Sequence, residues 1–364
     1  MNRKFRQAVF FLLAAGTAWL IFARPELCTV SLREGLQLCG GPLLVSLLPF
    51  LIVSSLAVRS GAGETLGILF CPAARLIGIR DSGARSAGGV LLIGFLGGFA
   101  PAASAVRDAV QTGRLTARQA SALLPACICS GPSFVVLTVG GQLLGSRELG
   151  VRLFAAQLLA GYLTAALLGR LHRCEELEIT ANAPEEPLPG LDELIAQATI
   201  AYLKLCGFVL YFRLLAAGCG QILPGRLAVL PAMLLEVCSG CDYAARTGLW
   251  ASSLCCTALS LQGASVLLQV RTLCPPEVSL RPLLAARLVH LPLSLALFWL
   301  GWPEQTAEAF STLSGRIVTM QRVPLDCALL AFAVCCMTAW EAARLAFCQK
   351  AGTVKSGLDR KSEI

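Results

Sequence analysis

The chain has 364 residues, 56% of them apolar and only 14% charged, whereas an ordinary soluble domain carries about 25% charged residues. A water-soluble fold that hides this much apolar surface is therefore excluded. The net charge of +8 does not mark a nucleic-acid binder, because the basic residues stand singly or in small clusters between apolar blocks and form no continuous stripe.

Blocks at residues 9–23, 43–58, 151–168, 283–300 and 325–347 approach the roughly 20 residues that cross a bilayer. Their runs lack the in-out alternation of a barrel, so the expected fold class is all-α, a polytopic membrane protein. The N-terminal residues 7–23 follow a basic start and resemble a signal peptide, but Phe22-Ala23-Arg24-Pro25 is a poor small-residue cleavage site, which predicts an uncleaved first helix. Arg3, Lys4 and Arg6 place its start on the cytoplasmic side. Residues 36–58 return, leaving Arg59, Arg75, Arg80 and Arg85 inside, with 66–79 too short to span and read as an interfacial helix.

The block at 87–106 has Arg85 on one flank and Arg107, Arg114 and Arg118 on the other, with Gly94, Gly97, Gly98 and Pro101 at its centre. Like-sided flanks around a glycine–proline break predict a re-entrant hairpin; an ordinary helix with small packing residues is the alternative. Residues 115–144 then read as one helix interrupted at Ser130-Gly131-Pro132, since proline lacks an N–H and restricts the residue before it. Residues 151–168 come back in, and the acidic, proline-bearing stretch 175–189 is the expected linker.

The second half repeats this order upside down: a helix at 194–217, a short apolar block at 227–241 with Ser239-Gly240 near its turn, a helix at 249–270 interrupted from Gln262 to Ser265, and a helix at 283–300. Inverted-topology repeats of this kind are found in secondary transporters. With a last helix at 325–347 the charge count closes on eight crossings and two hairpins. The expected organisation is a first helix (1–30), a first repeat (36–173), a cytoplasmic linker (174–190), a second repeat (191–300), and a last helix with a basic tail (325–364).

In such folds the substrate sits near the midplane, between hairpin tips and helix breaks. The candidate substrate-binding residues are Gly97, Gly98 and Pro101 in the first hairpin, Glu236, Ser239 and Gly240 in the second, and Ser130, Gly131, Pro132, Ser133, Gln262, Gly263 and Ser265 at the breaks. Ionisable residues inside apolar blocks are functional suspects. Glu236 could hold a proton, a cation or a polar substrate, or could strut the hairpin; Lys204 could counter an anionic ligand or snorkel to the surface. Glu341 and Arg344 read as a structural i, i+3 pair. Cys127-x-Cys129 and Cys238-x-x-Cys241 lack the second ligand pair of a zinc site, most of the 17 cysteines lie in apolar runs as packing residues, and His172 and His290 are isolated. No hydrolase, zincin or phosphate-loop motif occurs, so neither an enzyme nor a cofactor is expected, and the expected partners are a small-molecule substrate and the lipid bilayer.

The runs Gly94-Phe-Leu-Gly-Gly-Phe-Ala-Pro101, Gly113-Arg-Leu-Thr-Ala-Arg-Gln-Ala120 and Cys129-Ser-Gly-Pro-Ser-Phe134, with Val139-Gly140, Leu144-Gly145 and Leu234-Leu-Glu-Val-Cys-Ser-Gly240, carry a family resemblance. They resemble the nucleoside-recognition (gate) domain of sporulation integral membrane proteins of the YlbJ type. The resemblance implies a transporter-like protein in the mother-cell membrane around the forespore, linked to movement of dipicolinic acid. The chain departs from that pattern at Phe99-Ala100-Pro101 and at Cys127-Ile128-Cys129, where the family has Gly-Tyr-Pro and asparagines. The readings left open are a carrier of a small anionic solute, a carrier of nucleosides or related metabolites, and a non-transporting membrane scaffold.

Overall fold

A computed structural model describes residues 3–59, 65–79, 82–171, 190–221, 223, 227 and 229–300. The linker at 175–189 and the last helix at 325–347, with Glu341 and Arg344, lie outside the described residues. Among the described residues the regular structure is entirely helical.

Helix α1 (Arg3–Ala23) ends one residue before α2 (Pro25–Leu38), and the chain bends by 107° there. Pro25 explains the position of the break: without an N–H it is tolerated at the start of a helix but not in its interior. The second helical run therefore begins earlier than residue 36, and it continues through a π-helical turn (Cys39–Leu43) that absorbs Pro42 into α3 (Leu44–Arg59). The short segment expected at 66–79 is a 3-10 turn (Gly67–Phe70) followed by α4 (Cys71–Leu76). It is held against the next helix backbone to backbone: a Cβ on Gly67 would stand 2.5 Å from the Gly89 nitrogen.

Helices α5 (Ser82–Gly97) and α6 (Phe99–Gln111) meet at Gly98 and pack against each other. A capping box starts α7 (Ala117–Cys127): Gln119 N–H donates to Thr116 Oγ1 at 3.1 Å, and Thr116 N–H to Gln119 Oε1 at 3.0 Å. After a break the chain resumes as a π-helix, Ser133–Leu143, and then α8 (Arg147–Leu171). The second half comprises α9 (Leu191–Gly220), α10 (Val229–Leu235), α11 (Val237–Ala245), α12 (Ala251–Leu261), α13 (Gly263–Leu273) and α14 (Arg281–Leu300). Helices α10 and α11 double back on one another, since a Cβ on Gly240 would lie 2.9 Å from the Met233 Cα, a separation that no continuous helix allows over seven residues.

Among the described residues, four stretches are long and apolar enough to cross a membrane: Arg147–Gly169, Leu191–Gly220, Gly248–Leu273 and Arg281–Leu300, with a fifth if the bent pair α1–α2 counts as one. Large apolar side chains such as Leu163, Leu203 and Leu288 face outward, while Gln157, Arg213, Glu236, Asp242, Gln262, Arg287 and His290 are buried. That distribution, apolar outside and polar within, is that of a helical protein embedded in lipid. At the centre α3 packs on α9 and α8 on α14; α6 packs on α13, and α11 on the 133–143 helix.

Candidate functional site

Four interruptions of regular helix converge in the interior. The first is Gly98, whose φ of 80° and ψ of −162° belong to a region open essentially to glycine alone. It lies directly on the second, the break at 128–132: a Cβ on Gly98 would be 2.7 Å from the Gly131 nitrogen, and one on Gly131 would be 3.2 Å from the Gly97 carbonyl carbon. Gly97, Gly98 and Gly131 are thus brought together, with no side chain between the two backbones. Pro101 is buried in the first turn of α6, and Ser133 is buried at the start of the 133–143 helix. The N–H groups of Phe134 and Val135 both donate to the Gly131 carbonyl, at 3.1 and 3.0 Å, so fewer donors are free at this helix start than its proline break suggests. The hydroxyl of Ser130 is buried and has no partner among the described residues.

The third interruption is Glu236, and here the turn differs from the one expected at Ser239-Gly240. Glu236 has extended backbone and N-caps α11: Oε1 accepts from Cys238 N–H at 2.9 Å and Oε2 from Ser239 N–H at 2.6 Å. Ser239 and Gly240 lie within α11, and Gly240 packs against Met233 and Ala258. The positive end of α11 is therefore already occupied by the chain's own carboxylate. The fourth is Gln262, the sole non-glycine residue with positive φ among those described, at 60°. A Cβ on the following Gly263 would come within 2.8 Å of the Glu236 nitrogen, so the third and fourth breaks cross as the first and second do. Ser265 is turned to its own helix, accepting from Gln269 Nε2 at 3.0 Å.

Gln262 joins the two crossings. Its Nε2 donates to the Ile128 carbonyl at 2.9 Å, and its Oε1 accepts from Arg287 Nη2 at 2.6 Å. A left-handed glutamine costs about 1–2 kcal/mol, and it persists where surrounding contacts over-determine it. Arg287 completes the junction: Nη2 also donates to the Ile128 carbonyl and Nη1 to the Ser260 carbonyl, both at 3.2 Å, while Nε is buried without a partner. The guanidinium thus sits against the carbonyl ends of both α7 and α12, each equivalent to roughly half a negative charge. No carboxylate pairs with it among the described residues.

Lys204 does not reach this junction; it is exposed on the outer face of α9, whose inward positions are Tyr202, Leu205 and Val209. The cation at this junction comes from α14. Sequence reasoning passed over Arg287 and Arg213, although each interrupts an apolar block as Lys204 does, and that was the available signal. Arg213 is fully buried and balanced: it pairs with Asp242 Oδ2 at 2.7 Å and with Glu34, lies 4.9 Å from the Tyr243 ring centroid, and shares Asp242 with Arg246. Two acids answer two bases there, whereas among the described residues the charge of Arg287 is answered by carbonyl dipoles.

Compared with family models, curated proteins and solved structures, the chain matches none. The family resemblance consequently rests on the motifs themselves.

Proposed function

We propose that the protein is a membrane transporter of a small anionic solute, and that Arg287 supplies the positive charge of its binding site. The observation that carries this reading is a buried guanidinium with no carboxylate partner among the described residues, placed where the helix breaks meet. A charge held in a low-dielectric interior without a counter-ion is disfavoured by several kcal/mol, and an anionic solute relieves that cost. Ser130 Oγ, buried and unpaired two residues from Ile128, is a ready second donor.

The core is read as an inverted repeat in which α3, α5–α6, α7, the 133–143 helix and α8 correspond to α9, α10–α11, α12, α13 and α14. Three pairs of contacts support this: α3 on α5 and α9 on α10, α7 on α14 and α12 on α8, α6 on α13 and α11 on the 133–143 helix. The two doubled-back helix pairs are read as re-entrant. The resemblance supplies the candidate solute, dipicolinate, and the setting, endospore formation.

Reconstitution into proteoliposomes tests the reading. Uptake of dipicolinate, benzoate and uridine is compared for the wild type and for Arg287→Gln, Arg287→Lys and Lys204→Met. Carboxylate uptake should fall at least tenfold in Arg287→Gln, the equivalent of about 1.4 kcal/mol or more, and recover in part in Arg287→Lys. Lys204→Met should match the wild type. Preference for uridine independent of Arg287 would favour a nucleoside carrier, and absence of any uptake would favour a scaffold. The bonds from Arg287 to Ser260, Ile128 and Gln262 support a second role as a clamp. If the clamp were its sole role, Arg287→Lys and Arg287→Gln would lose thermal stability alike, because neither keeps the planar fork.

A further inference from the structure

One turn along α14 from Arg287 stands a second buried ionisable group. His290 is 3% exposed, and its Nε2 lies 3.0 Å from the Gln157 carbonyl oxygen. A carbonyl only accepts, so Nε2 carries the hydrogen and Nδ1 presents a bare lone pair. That lone pair is buried and has no partner among the described residues. The Gln157 side chain is itself anchored, the two N–H groups of its Nε2 shared among Ser260 Oγ at 2.9 Å, Ser294 Oγ at 2.8 Å and the Cys256 carbonyl at 3.1 Å. Because the Ser260 carbonyl also accepts from Arg287, the imidazole and the guanidinium share one polar bed between α8, α12 and α14.

We infer that His290 is the proton-binding group that couples proton movement to the anion held by Arg287, an inference that rests on the anion-transport reading and extends it to the coupling ion. Charge balance is the reason. Helices α7, α8 and α12 pack on α14. Among their titratable groups, the Cys256 thiol of α12 lies 3.3 Å from Ser294 Oγ in this polar bed, Cys127 of α7 is buried, Tyr162 of α8 has a buried hydroxyl, and Arg152 of α8 lies against the Phe298 ring. Neither α7 nor α12 contains a carboxylate, and the one acid in α8, Glu148, is nine residues before Gln157. A proton arriving from water at Nδ1 therefore places a second positive charge one helical turn from Arg287, where the Cβ atoms of i, i+3 neighbours stand about 5–6 Å apart, with no carboxylate among the described residues paired to either group. A bound solute carboxylate removes that opposition. Proton and anion then favour one another's binding by the same factor, as linkage requires, and both leave together: Nδ1 returns its proton to water as the anion dissociates.

The test uses the whole protein in proteoliposomes, with the membrane potential clamped at zero and radiolabelled dipicolinate as probe. Empty liposomes correct for passive entry. With one proton carried per anion, a pH one unit lower outside should drive about tenfold accumulation in the wild type. His290→Gln keeps an N–H toward the Gln157 carbonyl but cannot take up the proton. It should bring the anion only to equal concentrations, while anion-for-anion exchange persists at a reduced rate. Titration calorimetry of the wild type in buffers of different ionisation enthalpy should show about one proton taken up per dipicolinate bound, a measurement independent of how the variant folds. Uptake indifferent to the pH gradient, undiminished tenfold accumulation by His290→Gln, or anion binding without proton uptake would each overturn the coupling role and leave the anion site standing. Absence of dipicolinate binding to the wild type would overturn the reading beneath it.

Discussion

The crossing of Gly98 and Gly131 permits a three-site glycine series in which conformational and steric costs separate. Gly145 has φ of 70°, and a Cβ added there would meet nothing within 4 Å, so Gly145→Ala carries conformational strain alone, about 1–2 kcal/mol. Gly131 has no positive φ, but its Cβ would meet the Gly97 carbonyl carbon and the Gly98 nitrogen at 3.2 Å, so Gly131→Ala carries overpacking alone, about 1–3 kcal/mol. Gly98 combines both: a glycine-only backbone region and a Cβ 2.7 Å from the Gly131 nitrogen. Its opposing atoms are backbone and cannot swing aside, so Gly98→Ala should cost the sum, about 2–5 kcal/mol. Chemical unfolding of the detergent-solubilised protein, followed by tryptophan fluorescence, ranks the three. If Gly98→Ala were no more destabilising than Gly145→Ala, the two breaks would not touch, and the site built on their crossing would lose its foundation.

Removing Arg213 should strip the buried Asp242 of its closest partner, so Arg213→Met should lower stability by about 3–5 kcal/mol; the double variant with Asp242→Asn should regain part of that loss in the same unfolding assay. Gln262→Ala should leave both the Ile128 carbonyl and Arg287 short of a partner while keeping the backbone strain, whereas Gln262→Gly relieves the strain and should be milder by about 1 kcal/mol. Equal losses would show that the left-handed geometry relaxes in the variants. Single cysteines at Arg85 and Gln111, near the open ends of α5 and α6, should react with an impermeant thiol reagent from the same side of the membrane, in a background cleared of accessible native thiols. Labelling from opposite sides would turn this hairpin into a crossing.

Much of the architecture was legible in the sequence because it is written in local terms. Apolar runs must be helices in lipid, where every backbone group needs an internal partner, and the glycine and proline positions at Gly98, Ser130-Gly131-Pro132 and Gln262-Gly263 mark where those helices stop. Pro25 likewise sets the boundary between α1 and α2, where it starts the second helix with no intervening loop. The turn of the second hairpin falls three residues before Ser239-Gly240, which has turn composition, because a glutamate at an N-cap competes for the same role and wins by satisfying two N–H groups at once.

The identity of the interior cation was decided by tertiary structure alone. Lys204, Arg213 and Arg287 each interrupt an apolar run, and along the chain they look alike. Which of them is exposed on the outer face, which meets carboxylates and which is left with carbonyl dipoles among the described residues depends on the rotation of α9 and α14 about their axes and on partners 25 to 179 residues away in sequence. Periodicity is a weak guide to that rotation in helices apolar all round. Only the packed fold places Ile128, Gln262 and Arg287 within one hydrogen-bonded junction, because a bond between distant segments has no signature in either segment.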